Sequence, residues 1–171
     1  DIWDDWKVLA SGGPIRGDWR TMRCVAGAAA CGDVQCLLRL RGMFGIALWD
    51  ARENKLVLMR DWVGIKPLHW YLDDEKLVFG SEIKALFASG LVKPEPDPEG
   101  LDELWTFWAP VPPKTAFKGI EQLRPGEMVV LSGASITRRK YWRWEFPRAG
   151  DHRRAPLPGL TRELTELLGD A

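Results

Sequence analysis

The residues able to do chemistry are few and scattered. Three cysteines (Cys24, Cys31, Cys36) and two histidines (His69, His152) are the soft ligands and nucleophiles available. The cysteines lie seven and five residues apart and form no C-x-x-C pair. Structural zinc sites use four ligands at tighter spacings, so the pattern argues against a metal. All three cysteines are internal to the chain. They read as small buried hydrophobes. The stretch SGGPIRGD at 11–18 has the glycines of a phosphate loop, but Pro14 and Ile15 stand where polar ligands are needed, so it reads as a turn. Asp73-Asp74-Glu75 reads as a solvated hairpin tip rather than an acid/base pair. Arg60 with Asp61 reads as a structural ion pair or turn. The segment 138–154, RRKYWRWEFPRAGDHRR, carries seven Arg or Lys against two acids, interleaved with Tyr141, Trp142, Trp144 and Phe146. That pattern suits single-stranded nucleic acid, by stacking and phosphate contact. Its structural alternative is a last strand running into a solvated linker, and that alternative is favoured.

The elements that must position these residues centre on Gly42–Leu86. Four apolar runs, Met43–Trp49, Lys55–Met59, Pro67–Leu72 and Leu77–Gly80, are separated by the turn stretches Asp50–Asn54 and RDWVGIK and by Asp73–Lys76. Short runs rich in Val, Ile, Leu and aromatics, broken by such turns, predict an antiparallel meander. The last run leads into SEIKALFASG, a helix predicted to be capped by Ser81 and ended by Gly90. Further on, VKPEPDP is an extended connector, and Asp97 with Pro98 opens a helix through Phe107. Glu127–Leu131 and Ser135–Tyr141 predict a hairpin around Ser132–Ala134. A final helix is predicted from Thr161, after a Pro/Gly-rich stretch at 145–159. Upstream, Asp4 and Asp5 before Trp6, Val8 and Leu9 predict a capped helix ending at Gly12–Gly13. Asp33–Arg41 predicts a short helix with Val34, Leu37, Leu38 and Leu40 on its apolar face.

Composition sets the outer limits. A chain of 171 residues with 46% hydrophobic and 28% charged content is ordinary for a globular domain with a proper core. Zero net charge offers no global field toward nucleic acid or membrane. No apolar run approaches the ~18 residues that span a bilayer. The odd cysteine count argues against a disulfide framework and for a reducing, cytoplasmic setting. Ten tryptophans are expected mostly in the core or at interfaces.

Five ordered pieces, LRGMFGIALWD, LVLMRDWVGIKPLHW, FGSEIKALFASG, TFWAPVPPKTAFKGIEQLRPGEMVVL and RRKYW, resemble the amidotransferase half of glutamine-hydrolysing asparagine synthetases. They cover roughly 36–144. The resemblance implies an α+β fold: most of a four-layer αββα sandwich of antiparallel sheets, as in N-terminal-nucleophile hydrolases, lacking its first strands. It implies a partial amidotransferase domain at 1–144, a linker at 145–159, and at 160–171 the first helix of a synthetase domain. The family hydrolyses glutamine with an N-terminal Cys and passes ammonia to an ATP-activated aspartate, giving asparagine. Residue 1 here is Asp, so no catalytic residue is assigned and the chain by itself is expected to be inactive. DIWD resembles the tail of the family's NGEIYN motif, which makes Asp1 the one glutamine-contact match. Its bland alternative is a terminal residue without a contact. Where the family has a Ser-Asp-Thr-Glu motif, this chain has Arg23-Cys24-Val25-Ala26. Met43, Ile65 and Lys66 match positions along the ammonia passage facing the synthetase domain; for Met43 and Ile65 the alternative is ordinary core. The implied partners are glutamine and a synthetase domain of the same polypeptide, with no membrane or nucleic acid. No cofactor is assigned to this chain; ATP and Mg2+ belong to the synthetase domain. A degenerate amidotransferase-like scaffold that binds a partner is the competing reading.

Overall fold

In the computed structural model, residues 6–11, 37, 38, 40, 42–151, 153 and 155–170 are described. The elements among them are β1 (Trp6–Ser11), β2 (Gly45–Asp50), β3 (Lys55–Arg60), β4 (His69–Leu72), β5 (Leu77–Gly80), α1 (Ile83–Ala88), α2 (Pro98–Phe107), β6 (Ile120–Gln122), β7 (Glu127–Ser132), β8 (Ser135–Lys140) and α3 (Leu157–Asp170). The strands form two antiparallel sheets, in the orders β1-β2-β3-β7-β8 and β5-β4-β6. The α+β expectation holds.

Period-two alternation stacks the sheets. Ile46 and Leu48 of β2, Val57 and Met59 of β3, and Met128 of β7 point to one face of the large sheet, where Leu37, Leu40, Phe44 and Tyr141 cover them. Ala47, Leu56, Leu58, Val129 and Leu131 point the other way, onto Leu68, Trp70 and Leu123 of the small-sheet layer. The register keeps each set together: Met59 sits opposite both Ile46 and Met128, and Leu58 opposite Ala47 and Val129. Strands buried on both faces read as continuous apolar runs, which is why the central runs lack polar alternation. Beyond the small sheet, Tyr71 and Val78 face a third core of Leu86, Val92 and Ile120, roofed by α1. Each fully buried Leu, Ile or Met stabilises by about 1.5–3 kcal/mol.

Several boundaries differ from expectation. The capped helix expected after Asp4 and Asp5 is instead strand β1, paired along its whole length with β2. Six in-register backbone partners outweigh a local helix signal. The cap of α1 is Glu82, with no side-chain cap bond, not Ser81. The Ser81 carbonyl instead receives the His69 ring at 3.0 Å. Gly90 does end that segment, at φ +73°. Asp97 caps α2 as expected, accepting from the Glu99 amide at 3.3 Å. The last helix starts at Leu157 rather than Thr161, because proline at 158 suits a first turn whose amides need no partner. Of the short helix expected at 33–41, Leu37 and Leu38 form one 3-10 turn, with Leu37 and Leu40 buried. Its remainder lies outside the described residues.

Candidate functional site

The site is built from the segment that interrupts the meander, Arg60–Lys66. Asp61 follows β3 directly, and its carboxylate collects main-chain amides. Oδ1 accepts from Gly64 at 2.7 Å and Ile65 at 3.0 Å. Oδ2 accepts from Lys66 at 3.0 Å and Phe44 at 3.3 Å. The Asp61 amide returns a bond to the Phe44 carbonyl at 2.9 Å. Arg60 gathers the opposite groups. Its Nε donates to the Lys66 carbonyl at 2.8 Å, its Nη1 to the Leu123 carbonyl at 2.6 Å, and its Nη2 to the Gly64 carbonyl. Arg60 and Asp61 therefore do not form the ion pair that their adjacency suggested. Arg60 binds carbonyls and Asp61 amides of this loop, each with one partner outside it (Leu123 and Phe44), which makes a turn held from both sides. Burial lowers the Arg60 pKa, partly offset by the neighbouring Asp61 charge, and a guanidinium stays protonated regardless.

Two further segments close on this loop. Gly126 donates its amide to the Asp61 carbonyl at 2.9 Å, and Tyr141 donates its amide to the Gly126 carbonyl at 2.9 Å. The buried Tyr141 hydroxyl donates to the Arg60 carbonyl, and burial raises its pKa. Trp62 stacks on Trp142 with centroids 5.5 Å apart and rings 8° from parallel. Trp144 meets Trp142 edge-on at 4.7 Å. Gly64 sits at φ +76°, and a Cβ there would come within 2.7 Å of Pro125 and 3.1 Å of the Arg60 guanidinium. Only glycine fits that position.

The clamp decides where the sequence-matched residues lie. One Asp61 oxygen holds both the Phe44 and the Lys66 amides, so the backbone following Met43 is drawn to the backbone of Ile65–Lys66. Met43 is 44% and Ile65 55% exposed, so neither is core in this chain. Val63 is exposed beside them. Met43, Val63 and Ile65 thus add exposed apolar surface near the half-buried, cationic Lys66. His69 stands nearby, half-buried, with its ring engaged by the Ser81 carbonyl; burial first, and the Arg60 charge after it, lower its pKa. Asp73 is a turn organiser: it accepts from the Glu75 and Lys76 amides and from the Tyr71 hydroxyl, each near 3.0 Å. Among the described residues no group of three or more His, Cys, Asp and Glu could hold a metal. Asp1, Cys24, Cys31, Cys36, His152, the Arg23–Ala26 stretch and most of the glycine stretch at 11–18 lie outside the described residues. Sequence reading missed Asp61 as the hub, although Asp followed three residues later by Gly is the signature of a side-chain-capped turn.

A family model described as a glutamine amidotransferase domain matches residues 16–142. The chain belongs to that family. It is 34% identical over 117 residues to asparagine synthetase (glutamine-hydrolyzing) 3 of Bacillus subtilis strain 168, which covers 68% of this chain and 19% of that protein. It is 35% identical over 115 residues to amidase chyE of Penicillium rubens, covering 66% of this chain and 16% of that protein. The resemblance to the amidotransferase domain of glutamine-hydrolysing asparagine synthetases therefore stands. This amidotransferase chain spans about a fifth or less of the length of those relatives. Among solved structures, a glutamine phosphoribosylpyrophosphate amidotransferase from B. subtilis aligns over 80% of this chain and 28% of its own at a TM-score of 0.49 and 11% identity, a likeness too slight to argue from. No helix among the described residues is long and apolar enough to cross a membrane.

Proposed function

We propose that this chain is the scaffold part of a glutaminase domain that supplies ammonia to a synthetase domain of the same polypeptide, in a cytoplasmic protein that amidates aspartate to asparagine with ATP. The observation that carries the proposal is the family match over 16–142, with a synthetase relative at 34% identity. The exposed Met43 and Ile65 support it: apolar side chains there disfavour ammonium and let neutral NH3 pass. In this reading Met43, Ile65 and Lys66 face the synthetase domain, which would hold ATP and Mg2+. Asp1 would stand near the glutamine. The thiols of these 171 residues, Cys24, Cys31 and Cys36, are internal and have no α-amine beside them, so the 171 residues by themselves are expected not to hydrolyse glutamine.

Two assays test this. The 171-residue chain incubated with glutamine is expected to release ammonia at buffer background; release that a thiol blocker abolishes would refute the inactivity. The parent protein, given glutamine, aspartate and ATP, is expected to form asparagine. Its Ile65→Lys variant should consume several-fold more glutamine per asparagine while hydrolysing glutamine at an unchanged rate. Failure of the parent to form asparagine would overturn the synthetase assignment, and unchanged coupling would overturn the passage.

A further inference from the structure

The chain leaves β8 across the Arg60–Lys66 loop and is fastened to that loop at several points. The Tyr141 hydroxyl donates to the Arg60 carbonyl. Gly126 bridges the two segments through its main chain. Its amide donates to the Asp61 carbonyl at 2.9 Å, and its carbonyl accepts from the Tyr141 amide at 2.9 Å and the Trp142 amide at 3.3 Å. The bridge has no slack: a Cβ on Gly126 would lie 2.5 Å from the Trp142 carbonyl oxygen, a main-chain atom, and the residue sits at φ +64°. Beside the bridge, the indole of Trp142 lies flat on that of Trp62.

The supports of the loop differ in where they lead. Arg60 and Asp61 hold its main chain from within, through the carbonyls of Gly64 and Lys66 and the amides of Gly64, Ile65 and Lys66. The Trp62 side chain instead reaches out to the departing segment. Both stacked indoles are half-buried, and Trp62 adjoins the exposed Val63 and, beyond Gly64, the exposed Ile65. Past Trp142 the aromatic contacts continue along the chain. Trp144 meets Trp142 edge-on at 4.7 Å, and Phe146 lies against Trp144 at 6.1 Å with the rings 21° from parallel. A tilt of this segment is therefore carried from ring to ring as far as Trp62, since packed side chains transmit displacement.

On the strength of the function proposed above, which puts Ile65 and Lys66 along the ammonia passage, we propose that Trp62 is a positioning residue for ammonia transfer. Its stack on Trp142 ties the loop that carries Ile65 to the segment leading toward the synthetase domain, so the departing chain sets where the passage wall stands. Trp62 touches neither glutamine nor ammonia; it acts through the loop. A contact that served folding alone would give a different signature. Loss of fold lowers every activity, whereas loss of position spares the synthetase reaction and lets ammonia escape before it arrives. Misplacing a wall by about 1 Å is enough to matter at that step.

The test uses the parent protein and its Trp62→Ala, Trp142→Ala, Trp62→Ala/Trp142→Ala and Trp62→Phe variants. Two quantities are measured: glutamine consumed per asparagine formed, and asparagine formed when an ammonium salt replaces glutamine. Each alanine variant should raise the ratio several-fold while ammonium-driven synthesis stays at the parent's rate. The double variant should be no worse than either single, because all three lose the same contact. Trp62→Phe keeps a stacking ring and should restore most of the coupling. An unchanged ratio in Trp62→Ala overturns the assignment. So does a double variant in which the two effects multiply. Loss of ammonium-driven synthesis in step with glutamine-driven synthesis overturns it too, and makes the stack a folding contact. A parent that forms no asparagine from glutamine overturns the proposed function, and this role with it, before any substitution is made.

Discussion

The hydroxyl of Tyr141 donates to the main-chain carbonyl of Arg60, 81 residues earlier in sequence. The bond joins the exit of β8 to the point where β3 gives way to the clamped loop. Tyr141 is 7% exposed and its ring belongs to the core that covers the large sheet. Tyr141→Phe keeps that packing and removes one buried donor, leaving the Arg60 carbonyl without it. The expected loss is about 1–2 kcal/mol, read as a lower urea midpoint at unchanged m-value. No shift in midpoint would mean that the bond contributes nothing.

Asp61 is the stronger constraint, because four amides from two segments converge on it. Asp61→Ala leaves these donors without an acceptor and should cost about 3–5 kcal/mol. Asp61→Asn retains one acceptor oxygen but turns an NH2 group toward amide donors, so an intermediate loss of about 1–3 kcal/mol is expected. Equilibrium unfolding orders the three proteins. An alanine variant as stable as the parent would show that the loop does not depend on the carboxylate.

His69 makes stability depend on pH in a stated direction. Burial and the Arg60 charge depress its folded pKa, while the Ser81 bond works the other way. The unfolded chain therefore takes up a proton near pH 6.5, before the folded one does. Between that value and the lower folded pKa, the unfolded state binds more protons, so stability falls as pH falls. Tm measured from pH 7.5 to 5 should decline, and His69→Gln should flatten the part of the decline just below pH 6.5. A variant with the same slope would remove His69 as the cause.

What could be read from sequence follows from how local each determinant is. The meander was legible because β2, β3, β4 and β5 are apolar runs bounded by polar turns. The Asp97 cap was legible because cap and helix are adjacent. β1 was not, since its strand character comes from pairing with β2 some forty residues away. Met43, Ile65 and Lys66 are singled out by family resemblance alone, and the bonds from the Phe44 and Lys66 amides to one Asp61 oxygen have no short-range signature. Tyr141 on Arg60 and Trp142 on Trp62 join distant segments, and no short-range pattern announces such pairs. Trp108 is one of ten tryptophans in the sequence, and its exposure and left-handed backbone angle are visible only in the structure.

Gly100 gives a steric prediction at the other end of α2. It is buried, and a Cβ placed on it would lie 1.9 Å from the Thr115 carbonyl oxygen and 2.8 Å from its carbon. Both are backbone atoms, so no side chain can swing aside. Thr115 cannot easily retreat either: its hydroxyl has the Ile120 and Phe117 carbonyls at 2.8 and 3.0 Å to share its one proton, and it accepts from the Phe117 amide at 3.2 Å. On an exposed helix, Gly→Ala stabilises by up to about 1 kcal/mol through propensity. Here the clash must win, because contact at that distance forces the backbones apart, and overpacking costs about 1–3 kcal/mol or more. Gly100→Ala should therefore destabilise by at least about 2 kcal/mol, seen as a lower Tm. Gly159→Ala in α3, where nothing lies within 4 Å of the added carbon, should be neutral or mildly stabilising. If both glycine variants gained stability, the close approach of α2 to Thr115 would be refuted.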